Sequence, residues 1–257
     1  MTQPLSVALD AGQNRAAFTI FHPTGNILTA EMIGALRSAL EGLARNPHLK
    51  LITLEGAGAD FSFGASIPEH ARDQIGRVLP EMHALIYELL DAPAPTAAVV
   101  RGRCFGGGFE LALACDFILA DATARFALPE IALGVFPPAA SALLPLRAGG
   151  ARAARAILTG ETLTGADWAG SGLVDLIADA GGLRAGVDAW FAKHLAPKSA
   201  AALRHAAAAA RMGLVTDVRR LLPELERLYL DDLMQTEDAV EGIDAFMTKR
   251  TPSWTDR

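Results

Sequence analysis

The residues of this chain best suited to chemistry are two glutamates, Glu110 and Glu130, each embedded in a short block of small and apolar residues. Glu110 lies in RGRCFGGGFELALAC, where Gly106, Gly107 and Gly108 separate a run that reads as a strand from one that reads as a helix. Successive glycines let backbone approach a ligand closely, and the amides at a helix N-terminus attract negative charge. By itself the run also fits a tight strand-to-helix turn. Glu110 falls in the first helical turn, where the helix dipole favours its charged form and burial opposes it. Glu130 lies in ALPEIALG, in which Pro129 and Glu130 close a short apolar strand. Alone, that acid reads equally well as an ordinary helix-start residue. A third block, FSFGASI at residues 61–67, is another small-residue turn after a strand. Its Ser66 lacks the closing glycine of a nucleophile elbow and is not read as a nucleophile.

These blocks need a scaffold, and the sequence spells one out. Apolar stretches at residues 5–9 and 16–21 flank DAGQN, which predicts an opening β-hairpin. Thr29 reads as the N-cap of a helix running to Arg45, with Asn46-Pro47 ending it. Residues 51–54 form a buried strand. A helix with apolar positions at Val78, Met82, Leu85, Ile86 and Leu89 ends at DAPAP. Residues 96–102, 117–121 and 125–130 then alternate strand, turn and helix, the pattern of an α/β domain with crossover connections. From Ser141 onward helices dominate, interrupted by TGETLTG and the apolar run 173–177. A soft boundary near residue 195 divides an α/β core, 1–195, from a helical region, 196–257. Within that region the alanine-rich tract 199–211 predicts helix, because alanine is the best helix former. Residues 217–250 carry too many apolar positions for an isolated helix and must pack on a neighbour, another subunit included.

Composition sets limits on function. With 257 residues, 51% hydrophobic and 20% charged, the chain can bury a substantial core. No segment approaches a membrane span and the start lacks a secretory pattern, so a soluble, cytoplasmic protein without membrane partners is expected. A net charge of −6 argues against nucleic acid as a partner. Cys104 and Cys115 have no metal or redox spacing and are expected reduced and buried. His22, His48, His83, His194 and His205 form no ligand cluster, so no metal is expected.

Together, FSFGASI, GRCFGGGFELALACD and FALPEIALG resemble the three successive signatures of the crotonase (enoyl-CoA hydratase/isomerase) superfamily, over nearly the whole chain. The resemblance implies an α/β fold of repeated ββα units with a helical C-terminal region, assembled as homotrimers or homohexamers through that region. It implies an acyl-CoA thioester substrate, coenzyme A being part of the substrate and no separate cofactor being required. It places an oxyanion hole at the Ala65 and Gly107 amides, the kind of donor whose loss costs about 10² to 10³ in rate. Hydratases of the family carry both glutamates, which implies Glu110 handling the water and Glu130 the proton. Two such carboxylates at short range titrate as a coupled pair with one proton retained near neutrality.

The chain departs from ordinary short-chain hydratases at Ser66, where an Asp is usual, and in GVFPPAASALLPLRAGG after Glu130. These segments look more like the branch that hydrates cyclohexa-1,5-diene-1-carbonyl-CoA to 6-hydroxycyclohex-1-ene-1-carbonyl-CoA in anaerobic benzoyl-CoA degradation. The alternatives are a general enoyl-CoA hydratase or isomerase and a non-catalytic acyl-CoA-binding oligomer. Phe136, Pro137 and Pro138 are read either as a substrate wall or as a rearranged helix start without substrate contact. Phe63 and Ser66 are candidate substrate contacts, Glu69 and His70 pocket-edge groups. Lys249, with Arg250 beside it, is a candidate for the nucleotide phosphates, or else an ordinary surface pair.

Overall fold

The computed structural model describes residues 3–257. Strand β1 (Leu5–Leu9) pairs antiparallel with β2 (Arg15–Ile20), forming the expected hairpin. Helix α1 (Ala30–Leu43) follows; the Thr29 hydroxyl accepts the Met32 amide at 3.2 Å, the expected cap. Then come β3 (Leu51–Gly56), α2 (Ile75–Leu90), β4 (Thr96–Val100), β5 (Arg103–Phe105) and α3 (Gly107–Ala114). The chain continues through β6 (Phe117–Asp121), β7 (Arg125–Ala127), a 3₁₀ turn at Pro129–Leu133, α4 (Pro138–Ala148) and α5 (Gly150–Thr159). Next are β8 (Leu163–Thr164), α6 (Gly165–Ala169), β9 (Leu176–Ala178), α7 (Leu183–His194), α8 (Ala200–Arg227) and α9 (Glu237–Met247).

Six strands make one sheet in the order β1-β2-β3-β4-β6-β9, parallel from β2 onward. A second sheet orders β5-β7-β8. Each central strand of the large sheet is followed by a short strand or bridge beside the second sheet and then a helix. The sets are β3 with the Ser62–Cys104 bridge and α2, β4 with β5 and α3, and β6 with β7, the 3₁₀ turn and α4. This is the repeated ββα unit of the crotonase fold. The short β5 and β8 carry no sequence signal of their own, since three- and two-residue strands show no periodicity.

Parallel strands need cover on both faces, and alternation along each strand supplies it. Phe18, Ile52, Leu54, Ala98, Val100 and Ile118 point into the main core with α1, α2, α3 and α4. Their neighbours Leu51, Ala97, Val99 and Leu119 point to the other face, covered by Leu183 and Val187 of α7. The unpaired amides and turns at the carboxyl ends of β3, β4 and β6 all open on one side, where ligands bind in sheets of this kind.

The helical region after residue 195 does not stand apart. Val218 and Leu222 of α8 belong to the main core, and Tyr229 and Met234 pack with Ile75 and Val135. The boundary near 195 marks the end of α7, and the segment beyond it closes the core of its own chain. Within it, Arg211 is 6% exposed. It bonds Asp116 twice, at 2.7 and 2.5 Å, and also the carbonyls of Leu90, Ala92 and Ala94. The alanine-rich tract is thus a helix, and it carries one buried cationic clasp onto the start of β4 and the end of α3. Among the described residues no helix is long and apolar enough to cross a membrane.

Removing one partner of a buried pair strands the other's charge, at a cost of about 3–5 kcal/mol. Arg211→Met is therefore expected to lower the urea midpoint by that equivalent, and adding Asp116→Asn to recover part of it. An unchanged midpoint in the single variant contradicts the clasp.

Candidate active site

The loop after β3 is built to aim a backbone amide. The Ser62 hydroxyl donates to the Asn26 carbonyl at 2.7 Å and accepts the Gly64 amide at 3.1 Å. The Leu28 amide donates to the Gly64 carbonyl and the Ser66 amide to the Leu28 carbonyl. Ala65 is thereby fixed between two bonded neighbours, with its own amide left for the cavity. Across from it, Gly107 opens α3. A Cβ on Gly107 would lie 3.3 Å from the Ala65 nitrogen, so the two backbone segments pass close to each other.

The three glycines have three different tasks. Gly106 has φ +50, a conformation that disfavours side chains, and a Cβ there would meet the Glu130 Oε1 at 2.5 Å. Its missing side chain makes the seat for the second carboxylate. Gly107 allows the approach to Ala65. Gly108 is a packing residue: a Cβ there would strike the Ser62 side chain at 2.7 Å. The tight-packing reading of the run holds at all three positions, and Gly106 and Gly107 also line the cavity of the site.

Glu110 is 6% exposed, and its Oε1 accepts the Ala140 amide at 2.9 Å. The helix terminus that holds this carboxylate is therefore the start of α4, not of α3 in which the residue lies. Burial prevails over those amides and pushes the Glu110 carboxyl up to about 7. Burial, reinforced by the neighbouring Glu110 charge, pushes Glu130 up to about 8. Its Oε2 is buried and has no hydrogen-bond partner among the described residues. The two groups titrate as a coupled pair, both carboxyls raised by burial, so that a proton is retained on the pair near neutrality.

A cavity of about 80 Å³ joins these groups. Ala65, Gly107, Glu110 and Glu130 line it, with an apolar wall from Ile33, Val78, Leu79 and Met82 on α1 and α2. Phe63 is on the wall, its ring beneath the Arg103 guanidinium at 4.9 Å. Val135, Phe136, Pro137 and Pro138 line it as well, so the unusual loop after Glu130 forms part of the site. Ser66 lies outside the cavity wall; it is buried at the head of the 3₁₀ turn Ile67–His70, and its carbonyl faces His70 Nδ1 at 2.9 Å. His70 does reach the wall, while Glu69 caps α1 by accepting the Ala30 amide at 2.9 Å. Lys249 sits exposed just beyond the end of α9, also off the cavity wall. Cys104 and Cys115 are buried and free.

One wall residue gave no sequence signal. Tyr229 stands in a π-helical turn, Leu228–Asp232, and packs edge-on against Phe136 with ring centroids 5.5 Å apart. In ERLYLDDL it reads as an ordinary aromatic on a helix face, and its place in the site depends on the path of the chain after α8.

The raised carboxyl groups link the site to stability. Between the ordinary carboxyl value of 4.5 and about 8 the folded protein holds protons that the unfolded chain releases. Stability is thus fully present below that window and falls as pH rises through it. The E110Q/E130Q protein is expected to melt several degrees above the wild type at pH 8 and to converge with it near pH 4. A melting difference independent of pH contradicts the raised values.

Two amides and two carboxyl groups around one largely apolar cavity can hold a carbonyl oxygen on one side and a water on the other. A family model described as enoyl-CoA hydratase/isomerase matches residues 11–257. A cyclohexa-1,5-dienecarbonyl-CoA hydratase from Thauera aromatica is 41% identical, over 100% of this chain and 98% of that protein. A 2,3-dehydroadipyl-CoA hydratase from Escherichia coli K12 is 32% identical, over 90% and 91% of the two chains. The crystal structure of an enoyl-CoA hydratase from Mycobacterium avium subsp. paratuberculosis K-10 superposes with a TM-score of 0.87 at 33% identity, covering 100% of both chains. This chain is a crotonase-fold enzyme of the hydro-lyase type, and it belongs to the enoyl-CoA hydratase/isomerase family.

Proposed function

We propose that the protein adds water to a conjugated cyclic dienoyl-CoA, cyclohexa-1,5-diene-1-carbonyl-CoA, giving 6-hydroxycyclohex-1-ene-1-carbonyl-CoA, as a step in anaerobic breakdown of benzoyl-CoA. The observation that carries the choice of a ring is the placement of Val135, Phe136, Pro137 and Pro138 on the cavity wall beside both glutamates. The loop that distinguishes this sequence from ordinary hydratases is thus the loop a substrate meets. The named activity of the 41% identical relative supports the same reading.

In this mechanism the thioester oxygen accepts from the Ala65 and Gly107 amides, which stabilise the negative charge as it develops. Ionised Glu110 takes a proton from water while the oxygen bonds to the ring carbon β to the thioester. The displaced electron pair moves into a dienolate extended over the second double bond. Protonated Glu130 then delivers its proton to the far end of that system, so one water is added across the diene. The rise of both carboxyls towards neutrality supports acid–base work by the pair. The pair resets when the proton left on Glu110 returns to Glu130 through the next water.

Three measurements test the proposal. Offered crotonyl-CoA and the cyclic diene separately, the enzyme is expected to show a kcat/KM at least about tenfold higher for the diene, a pocket-scale discrimination. A preference for crotonyl-CoA defeats the choice of ring. The second is a pH profile of kcat/KM, expected to be bell-shaped with its maximum between about 7 and about 8. Glu130→Gln should lower kcat by about 10² to 10⁴, the usual worth of a general acid. Undiminished hydration by that variant rules out the two-glutamate mechanism.

A further inference from the structure

The mechanism just described leaves a buried hydroxyl of the cavity without a task. Tyr229 is 1% exposed, lines the cavity, and its hydroxyl has no hydrogen-bond partner among the described residues. Buried polar atoms are nearly always bonded, and leaving one unmet costs about 1–3 kcal/mol. Glu130 Oε2 is the other unmet side-chain atom on the same wall. Tyr229 lies close enough to both carboxyl groups that their charges disfavour its ionisation, Glu130 more than Glu110, after the larger effect of burial. It therefore stays a neutral phenol able to donate one hydrogen bond and accept others. Its position is held from behind by the edge-on contact with Phe136 and by the π-helical turn that carries it, a geometry often found at functional sites.

The reaction supplies a partner of matching chemistry. A water giving one hydrogen to Glu110 still has a second hydrogen and a spare lone pair, and the hydroxyl of the product has the same unmet needs. The thioester oxygen is already served by two amides, and the rest of the acyl group is hydrocarbon. We propose that the Tyr229 hydroxyl binds the oxygen that water contributes, first as the incoming water and then as the hydroxyl of the product, making Tyr229 a substrate-binding residue for the hydroxyacyl thioester. The inference rests on the hydratase reading above but not on the ring.

Tyr229→Phe removes the hydroxyl and keeps the ring against Phe136, so it tests the bond and not the packing. KM is measured in both directions, for the hydroxyacyl thioester in dehydration and for the unsaturated thioester in hydration. Loss of one hydrogen bond, worth about 0.5–1.5 kcal/mol, is expected to raise KM for the hydroxyacyl compound about three- to tenfold. KM for the unsaturated compound should stay within about twofold by the same argument, because it has no hydroxyl to lose a partner. The melting temperature should not fall, since the variant buries one unmet polar atom fewer. Equal changes in the two KM values, or no change in either, overturn the assignment. If the enzyme proves to prefer linear substrates, the same comparison runs on 3-hydroxybutyryl-CoA and crotonyl-CoA. Failure of the ring assignment is thereby kept separate from failure of the Tyr229 contact.

Discussion

Helices α3 and α4 are laced together at both ends, and the site depends on that lacing. At one end the Glu110 carboxyl on α3 accepts the Ala140 amide at the start of α4. At the other, Arg147 on α4 donates to the carbonyls of Leu113, Cys115 and Asp116, where α3 runs out of its own donors. Each helix thus completes the unmet backbone groups of the other. The acid is held in position by the same bond that caps α4, so its place is set by two elements at once. Asp116 then passes the constraint on through Arg211 to α8, whose continuation delivers Tyr229 to the far wall.

The electrostatics follow from that arrangement. A carboxyl group beside helix-start amides is ordinarily held in its charged form, yet here burial has the larger effect and both acids rise towards neutrality. The difference between them comes from their partners. Glu110 has backbone amides to favour its charge, whereas Glu130 has the charge of Glu110 to oppose its own. Two like residues thus stand in different surroundings while sharing one coupled titration.

Most of the scaffold was legible in the sequence because period-two apolar runs and helix signals are local. The hairpin, the cap at Thr29 and the strands at 51–56 and 96–100 follow directly from residue type. The blocks carrying Glu110 and Glu130 were legible only in combination, since each alone also fits an ordinary turn or helix start. What stayed hidden was set by distant contacts. Nothing local in an alanine-rich tract marks Arg211 as buried, and nothing near residue 229 marks that tyrosine as a cavity wall. Ser66 shows the reverse: its neighbour in sequence faces the cavity, but alternating direction along the chain turns its own side chain away. The loop 135–138 could be read two ways until the path of the chain put it against the glutamates.

The small apolar cavity has a consequence for fidelity. A coenzyme A thioester is itself open to attack by water at its carbonyl carbon, and the amides that activate it for addition also activate it for cleavage. Selectivity between the two outcomes cannot come from the oxyanion site. It comes from how many waters share the chamber with the acyl group and where they stand. Walls of Ile33, Val78, Leu79, Met82 and Phe136 around about 80 Å³ leave room for few waters, and the polar side chains that could hold them are those of Glu110, Glu130, His70 and Tyr229. On the proposed mechanism, the hydrophobic lining that raises the two acids also serves as a safeguard against hydrolysis of the thioester.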